Sequence, residues 1–259
     1  MNILDKIVAH KREEMLVRKL MVPVDEVVNS KYFDLPCISL KDKLCSQDST
    51  GIIAEFKRRS PSKGFINQHA DVVTITSDYT KYGASGLSVL TDNNFFGGST
   101  EDLVEARIND IPILRKEFII DPYQILMTKA IGADVILLIA AILTPKEVQQ
   151  FAQSARSLGL EVLLEIHDKS ELSHICEEID MVGINNRNLK TFTVDINHSL
   201  ELSKLIPEDK IKIAESGIDT PEMIKIFRGE GYKGFLIGEA FMKEADPGLA
   251  FNNFVKQIK

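Results

Sequence analysis

Short apolar runs alternate along the chain with segments of helical spacing. The run at 135–140, Val-Ile-Leu-Leu-Ile-Ala, is continuous rather than alternating, which is the pattern of a parallel strand covered on both faces. Comparable runs at 51–56, 86–90, 112–114, 161–166, 181–184, 211–214 and 234–237 bring the predicted strands to eight. Helix starts stand between them: Ser99-Thr-Glu-Asp, Asp121-Pro122, Thr144-Pro145, His167-Asp168 and Thr220-Pro221. Gly83, Gly132 and Gly159 end helices shortly before the next strand.

Eight evenly spaced βα units predict an α/β fold, the (β/α)8 TIM barrel. The alternative is an open doubly wound sheet, but no GxGxxG follows the first strand. The first 48 residues lie outside the repeat. There Ile3, Leu4, Ile7, Val8, Met15, Leu16 and Leu20 recur at helical spacing. An N-terminal helical extension (1–48) is therefore expected to pack on a barrel (49–259), the whole forming one domain. It acts either as a structural cap or as a lid or wall of an active site.

Composition narrows the class. With 44% hydrophobic and 27% charged residues in 259, the chain has globular proportions. Its net charge of −7, from 31 Lys+Arg and 38 Asp+Glu, argues against a nucleic-acid partner. Cys37, Cys45 and Cys176 form neither a disulfide framework nor a zinc motif, and the five histidines lack ligand spacing, so no metal is predicted. Asp5, Lys6 and Lys11 interrupt any signal-like stretch, and the longest apolar run, at 135–143, falls well short of the roughly 20 residues that span a bilayer. A cytoplasmic protein with no membrane partner is expected.

In such a barrel the chemistry sits at the carboxyl ends of the strands. Here those ends are charged: Glu55-Phe-Lys57, Arg115-Lys116-Glu117-Phe118, Glu165-Ile-His167, Asn185-Asn-Arg187, Glu215-Ser-Gly217 and Gly238-Glu239. Residues two apart on a strand share a face, so Glu55 and Lys57 should share one environment. One charged strand end is ordinarily a solvated loop position. Six together, of both signs, point to a site. Ser216, Gly217 and Gly238 place small residues and backbone N–H groups where barrels hold a phosphate, so a phosphorylated small molecule is the expected partner. The loop from Lys57 to Gly64, with Arg58, Arg59, Ser60, Ser62 and Lys63, offers cations and hydroxyls to the same anion; its bland reading is a solvated basic loop. His167 could face the same side as Glu165, though a helix-start position beside Asp168 is its plainer explanation.

Six ordered motifs at these strand ends resemble the indole-3-glycerol-phosphate synthase family: Ala54-Glu-Phe-Lys-Arg-Arg-Ser-Pro-Ser-Lys-Gly64, the stretch from Pro112 to Gln124, Leu164-Glu-Ile-His-Asp168, Gly183-Ile-Asn-Asn-Arg-Asn-Leu189, Glu215-Ser-Gly-Ile218 and Gly234-Phe-Leu-Ile-Gly-Glu-Ala240. The resemblance covers essentially the whole chain. It implies a carboxy-lyase of tryptophan biosynthesis that needs no cofactor and turns 1-(2-carboxyphenylamino)-1-deoxyribulose 5-phosphate into indole-3-glycerol phosphate, carbon dioxide and water. It also implies roles. Lys116 is the main general acid, Glu165 and Glu55 are the acid–base carboxylates, Lys57 is a second cation, and Asn185 orients the substrate. Arg187 holds an anionic group; Ser60, Glu215, Ser216, Gly217, Gly238 and the backbone of Glu239 line the substrate site, chiefly around the phosphate. Phe118 and Ile237 supply apolar walls. The Glu239 side chain is expected to point away from the anion, and Lys116→Ala to abolish turnover with the fold intact. A monomer is expected, open to transient contact with other enzymes of the pathway. Competing readings are another sugar-phosphate barrel, a Schiff-base aldolase using Lys116, and a catalytically silent binding barrel.

Overall fold

A computed structural model describes residues 3–61, 63–187 and 193–258. Of the residues singled out from sequence, Ser62, Asn188 and Leu189 lie outside these. Eight parallel strands close a barrel in chain order: β1 (Ile52–Phe56), β2 (Gly86–Leu90), β3 (Ile113–Lys116), β4 (Val135–Ile139), β5 (Glu161–Ile166), β6 (Met181–Asn185), β7 (Ile211–Glu215) and β8 (Tyr232–Ile237). Closure is made by β8 against β1, with Phe235 opposite Ile52 and Ile237 opposite Ala54.

Alternation along the strands produces two apolar layers. Ile53, Leu114, Leu137, Leu163, Ile213 and Leu236 form the barrel interior. Their neighbours Ala54, Val89, Leu138, Leu164, Val182 and Phe235 pack outward against the helices. Continuing the inward row by two residues leads from Ile53 to Glu55, from Leu114 to Lys116, from Leu163 to Glu165 and from Ile213 to Glu215. The same row is thus apolar in mid-barrel and charged at the mouth.

The helix-start signals act locally as their chemistry requires. Asp121 and Thr144 close capping boxes with Gln124 and Glu147, ahead of helices Pro122–Ala130 and Pro145–Ser157. Asp168 instead caps a short 3-10 segment, Lys169–His174, and Thr220 precedes Pro221–Gly229 without a side-chain cap. The segment after β1, expected as a loop, contains a small antiparallel ribbon pairing Arg59 with Phe65 and Ser60 with Gly64.

The extension comprises α1 (Ile3–Met21), α2 (Val24–Val28) and α3 (Leu40–Cys45). Helix α3 plugs the amino-terminal end of the barrel: Leu40 and Leu44 join the interior cluster, and Glu161 accepts from the Leu40 and Lys41 N–H groups at 2.9 and 3.0 Å. Helix α1 crosses the opposite end. Its buried stripe is Ile7, Lys11 and Met15, four residues apart, with a lysine where periodicity alone expects a hydrophobe. Leu16 and Leu20, which the spacing assigned to the packed face, are 68% and 85% exposed, because that stripe is too narrow to include them. Among the described residues no helix is long and apolar enough to cross a membrane.

Candidate active site

The carboxyl ends of the strands surround a cavity of about 470 Å³ roofed by Ile3, Leu4 and Ile7 of α1. Every residue given a role by the family resemblance borders it, from Glu55 and Lys57 to Gly238 and Glu239. At its floor stands Lys116, whose Nζ donates to Glu215 Oε2 at 2.6 Å and to Glu165 Oε2 at 3.1 Å. Burial alone would depress the ammonium, but Glu215, Glu165 and Glu55 together outweigh it, and Lys116 is held charged far above the ordinary lysine range. The two carboxylates respond in opposite directions. Desolvation opposes ionisation of Glu165, yet Lys116, His167 and the Asn185 amide overcome it and hold its proton affinity down. For Glu215 burial wins, reinforced by Glu165, and its carboxyl is pushed up to about 7.

Backbone space makes this grouping possible. A Cβ on Gly183 would sit 2.0 Å from Glu215 Oε1, so only glycine on β6 leaves room for that carboxylate. A Cβ on Gly238 would likewise lie 2.6 Å from Glu55 Oε1. Glu55 itself accepts from Lys57 Nζ at 2.6 Å, the shared environment that their spacing predicts. The mouth therefore holds two lysine–carboxylate groups, one centred on Lys116 and one on Lys57.

Asn185 is anchored at both ends of its amide. Its Nδ2 donates to Glu165 Oε1 at 3.1 Å and its Oδ1 accepts from the Arg187 N–H at 3.0 Å. The Arg187 guanidinium reaches Glu239 Oε2 at 3.6 Å, and Lys63 reaches the other Glu239 oxygen at 3.8 Å. The Glu239 side chain thus lies against the cations of the rim, where the sequence reading expected it to point away; with two cations beside it, the carboxylate is better paired there than in water. Arg58 and Arg59 do not join them. Arg58 forks onto Asp102 at 2.6 and 2.8 Å, and Arg59 donates to the Asn94 carbonyl. The basic loop is therefore divided between structural pairs and the site.

On the β7 and β8 side, Ser216 and Gly217 both take left-handed backbone, with φ of 65° and 66°. Successive residues of this kind turn N–H groups toward one concavity, a natural seat for an anion. Gly238 precedes the helical turn Glu239–Met242, whose first N–H groups have no partner within the turn. Across from them the Ser60 hydroxyl is buried with no hydrogen-bond partner among the described residues. The opposite wall is apolar: Phe118 stacks obliquely on Phe96 with centroids 5.8 Å apart, beside Leu137 and Ile139. Ile237 borders the cavity while packing mainly in the outward core.

One buried group escaped the strand-end reasoning. Lys11 of α1 is fully buried and meets Glu14, Asp92 and Glu117 at 2.8, 3.0 and 3.1 Å. It fastens the extension to the ends of β2 and β3, next to Lys116. The only available signal was the interruption of an apolar stripe by a lysine.

The arrangement combines buried acid–base pairs, an anion seat and an apolar wall. Solved structures of low sequence identity share the fold alone. The tryptophan synthase alpha chain of Legionella pneumophila subsp. pneumophila superposes with a TM-score of 0.60 at 14% identity over 85% of this chain and 94% of its own. The 3-hexulose-6-phosphate synthase of Salmonella typhimurium gives 0.61 at 12% identity over 80% and 98%. Sequence relatives are much closer. The indole-3-glycerol phosphate synthase of Bacteroides thetaiotaomicron is 49% identical over 259 residues, covering 100% of this chain and 99% of that protein. Its counterpart in Bordetella pertussis is 41% identical over 98% and 99%. With the family model for indole-3-glycerol phosphate synthase matching residues 4–254 as well, the chain belongs to the indole-3-glycerol phosphate synthase family.

Proposed function

We propose that this chain makes indole-3-glycerol phosphate from 1-(2-carboxyphenylamino)-1-deoxyribulose 5-phosphate, with Lys116 as the general acid of ring closure. The observation that carries this reading is the Lys116 ammonium set between Glu165 and Glu215 inside a largely apolar cavity. In the first step the aromatic carbon bearing the carboxylate attacks the ketone of the sugar. Negative charge gathers on the ketone oxygen, and a buried cation at that point stabilises it and delivers the proton. Carbon dioxide then leaves, its bonding electrons restoring the aromatic ring. Finally a proton is taken from carbon and the hydroxyl departs as water, which requires a base and an acid together. Glu165 and Glu55 are the carboxylates for these transfers, and Lys57, paired to Glu55, is the second cation.

Asn185 orients the reacting groups through its bond to Glu165. Arg187 receives an anionic group of the substrate, and Ser60, Ser216, Gly217, Gly238 and the Glu239 backbone hold the phosphate. Glu215 keeps Lys116 in place at the substrate. Phe118 and Ile237 flank the anthranilate ring. The chain works as one domain, with residues 1–48 as its extension, in the cytoplasm and as a monomer open to transient contacts with other enzymes of tryptophan biosynthesis. Incubating the purified chain with the carboxyphenylamino sugar phosphate tests the reading: indole absorbance and carbon dioxide should appear together, and both should form at least about a hundredfold more slowly with Lys116→Gln.

A further inference from the structure

His167 stands immediately after β5, two residues beyond Glu165, and has no part in the roles above. Its ring lies between two carboxylates. Nε2 is 3.4 Å from Glu165 Oε1, and Nδ1 is 3.7 Å from Glu171 Oε2. Both nitrogens are buried without a hydrogen-bond partner of ordinary length among the described residues. In that position a neutral imidazole presents its single N–H to one carboxylate and a lone pair to the other, whereas an imidazolium presents an N–H to each.

The backbone holds the ring in register. The His167 N–H donates to Glu171 Oε2 at 2.6 Å, and the His167 carbonyl is 2.9 Å from His198 Nε2. Glu171 therefore grips both the main chain and the ring edge. The charged and titratable groups facing His167 are Glu165 near the end of β5, Asp168 and Glu171 in the segment that follows, Glu215 from β7 and His198 from the helix Ile196–Ser203. Lys116 from β3 acts on it through Glu165. Carboxylates outnumber cations. Burial by itself would depress the imidazole, but Glu171, Glu165 and Glu215 outweigh it and raise its affinity for a proton.

We propose that His167, oriented by Glu171, is a positioning residue of the reaction, its imidazolium holding Glu165 ionised and turned toward Lys116 and Asn185. The inference rests on Glu165 serving the reaction as a carboxylate. Glu165 Oε1 is shared between His167 and the Asn185 amide, while Oε2 faces Lys116. Loss of the imidazolium removes one of the groups that fix the carboxylate and one of the charges that keep it ionised.

Two measurements on the full chain test this. In the first, the five histidines are isotope-labelled and titrated by NMR, the His167 signal being assigned with His167→Asn. Its midpoint should lie above the ordinary value of about 6.5 and fall by about one unit or more in Glu165→Gln and in Glu171→Gln. In the second, His167→Asn should move the acid limb of the kcat/KM profile to higher pH and lower kcat by about tenfold, with KM changed less than twofold. A midpoint at or below the ordinary value, unmoved by either substitution, overturns the proposal. So does an unchanged pH profile. If the wild-type chain makes no indole-3-glycerol phosphate, the functional reading fails, while the NMR titration still decides whether His167 is the charged partner of Glu165 and Glu171.

Discussion

Lys116 and Glu215, 99 residues apart in the chain, hold each other at 2.6 Å at the floor of the barrel mouth. The contact joins the end of β3 to the end of β7 across the barrel, and Glu165 approaches the same ammonium from β5. The lysine is thus both the proposed acid and the charge that allows two buried carboxylates to sit together.

Replacing Lys116 should therefore do two things. Lys116→Gln should lower kcat by roughly 10²–10⁴ through loss of the general acid. It also leaves Glu165 and Glu215 buried without their cation, so both should take up protons more readily. Carboxyl groups whose folded affinity is raised stabilise the fold at low pH and lose that contribution as pH rises. The variant should lose stability between pH 5 and pH 8 more steeply than the wild type, as followed by denaturant unfolding. The fold is expected to stay intact, as the sequence implies, with the paired carboxylates adding this pH-dependent cost.

The Glu215 shift predicts a signature in the wild type. Its carboxyl rises from an ordinary 4.5 to about 7. Between these values the folded chain binds more protons than the unfolded one, so this group's contribution is fully present below the lower value and lost as pH climbs to the upper. Glu215→Gln should flatten the stability profile across that window. An equally steep profile in the variant would assign the slope to other groups.

Lys11 is the strongest tie between the extension and the site. Lys11→Met leaves Asp92 buried without its cation and Glu117 with Arg115 alone, at 3.7 Å, and should cost about 3–5 kcal/mol of unfolding free energy. Because Ile3, Leu4 and Ile7 roof the cavity, KM should also rise. Lys11→Arg, which keeps the charge, should recover part of both losses. Denaturant titration and steady-state kinetics on the same preparations measure them.

The barrel and most of its mouth were legible because strand alternation carries a simple rule from the apolar core to the charged rim. Glu55, Lys116, Glu165 and Glu215 are charged residues that close their apolar runs, and each stands two residues beyond a buried inward residue, Ile53, Leu114, Leu163 and Ile213. What the pattern did not carry was partnership across the chain. The Lys11 contacts to Asp92 and Glu117 join segments that no local spacing relates. Likewise the division of the basic loop, with Arg58 spent on Asp102 and Lys63 on Glu239, depends on where distant side chains arrive. Exposure of Leu16 and Leu20 shows the same limit: periodicity identifies a helix face, and the partner decides how wide it is.

At the rim, Glu239 pairs with Arg187 and Lys63, and on the proposed function it competes with the substrate's anionic groups for them. The group is about one-third exposed, so the effect should be modest. Glu239→Gln should tighten inhibition by inorganic phosphate about two- to fivefold at low salt, and the difference should shrink at high ionic strength. Arg187→Ala should raise KM. Inhibition constants at two salt concentrations separate this competition from a rearranged site.

The central claim is that Lys116, set between Glu165 and Glu215, drives ring closure and decarboxylation of the carboxyphenylamino sugar phosphate. Simultaneous recording of indole formation and carbon dioxide release by the purified wild type and by Lys116→Gln tests it most directly. Equal amounts of both products from the wild type, and a rate at least about a hundredfold lower from the folded variant, are the predicted result. Wild-type protein that releases neither product, or a variant that matches its rate, would contradict the account.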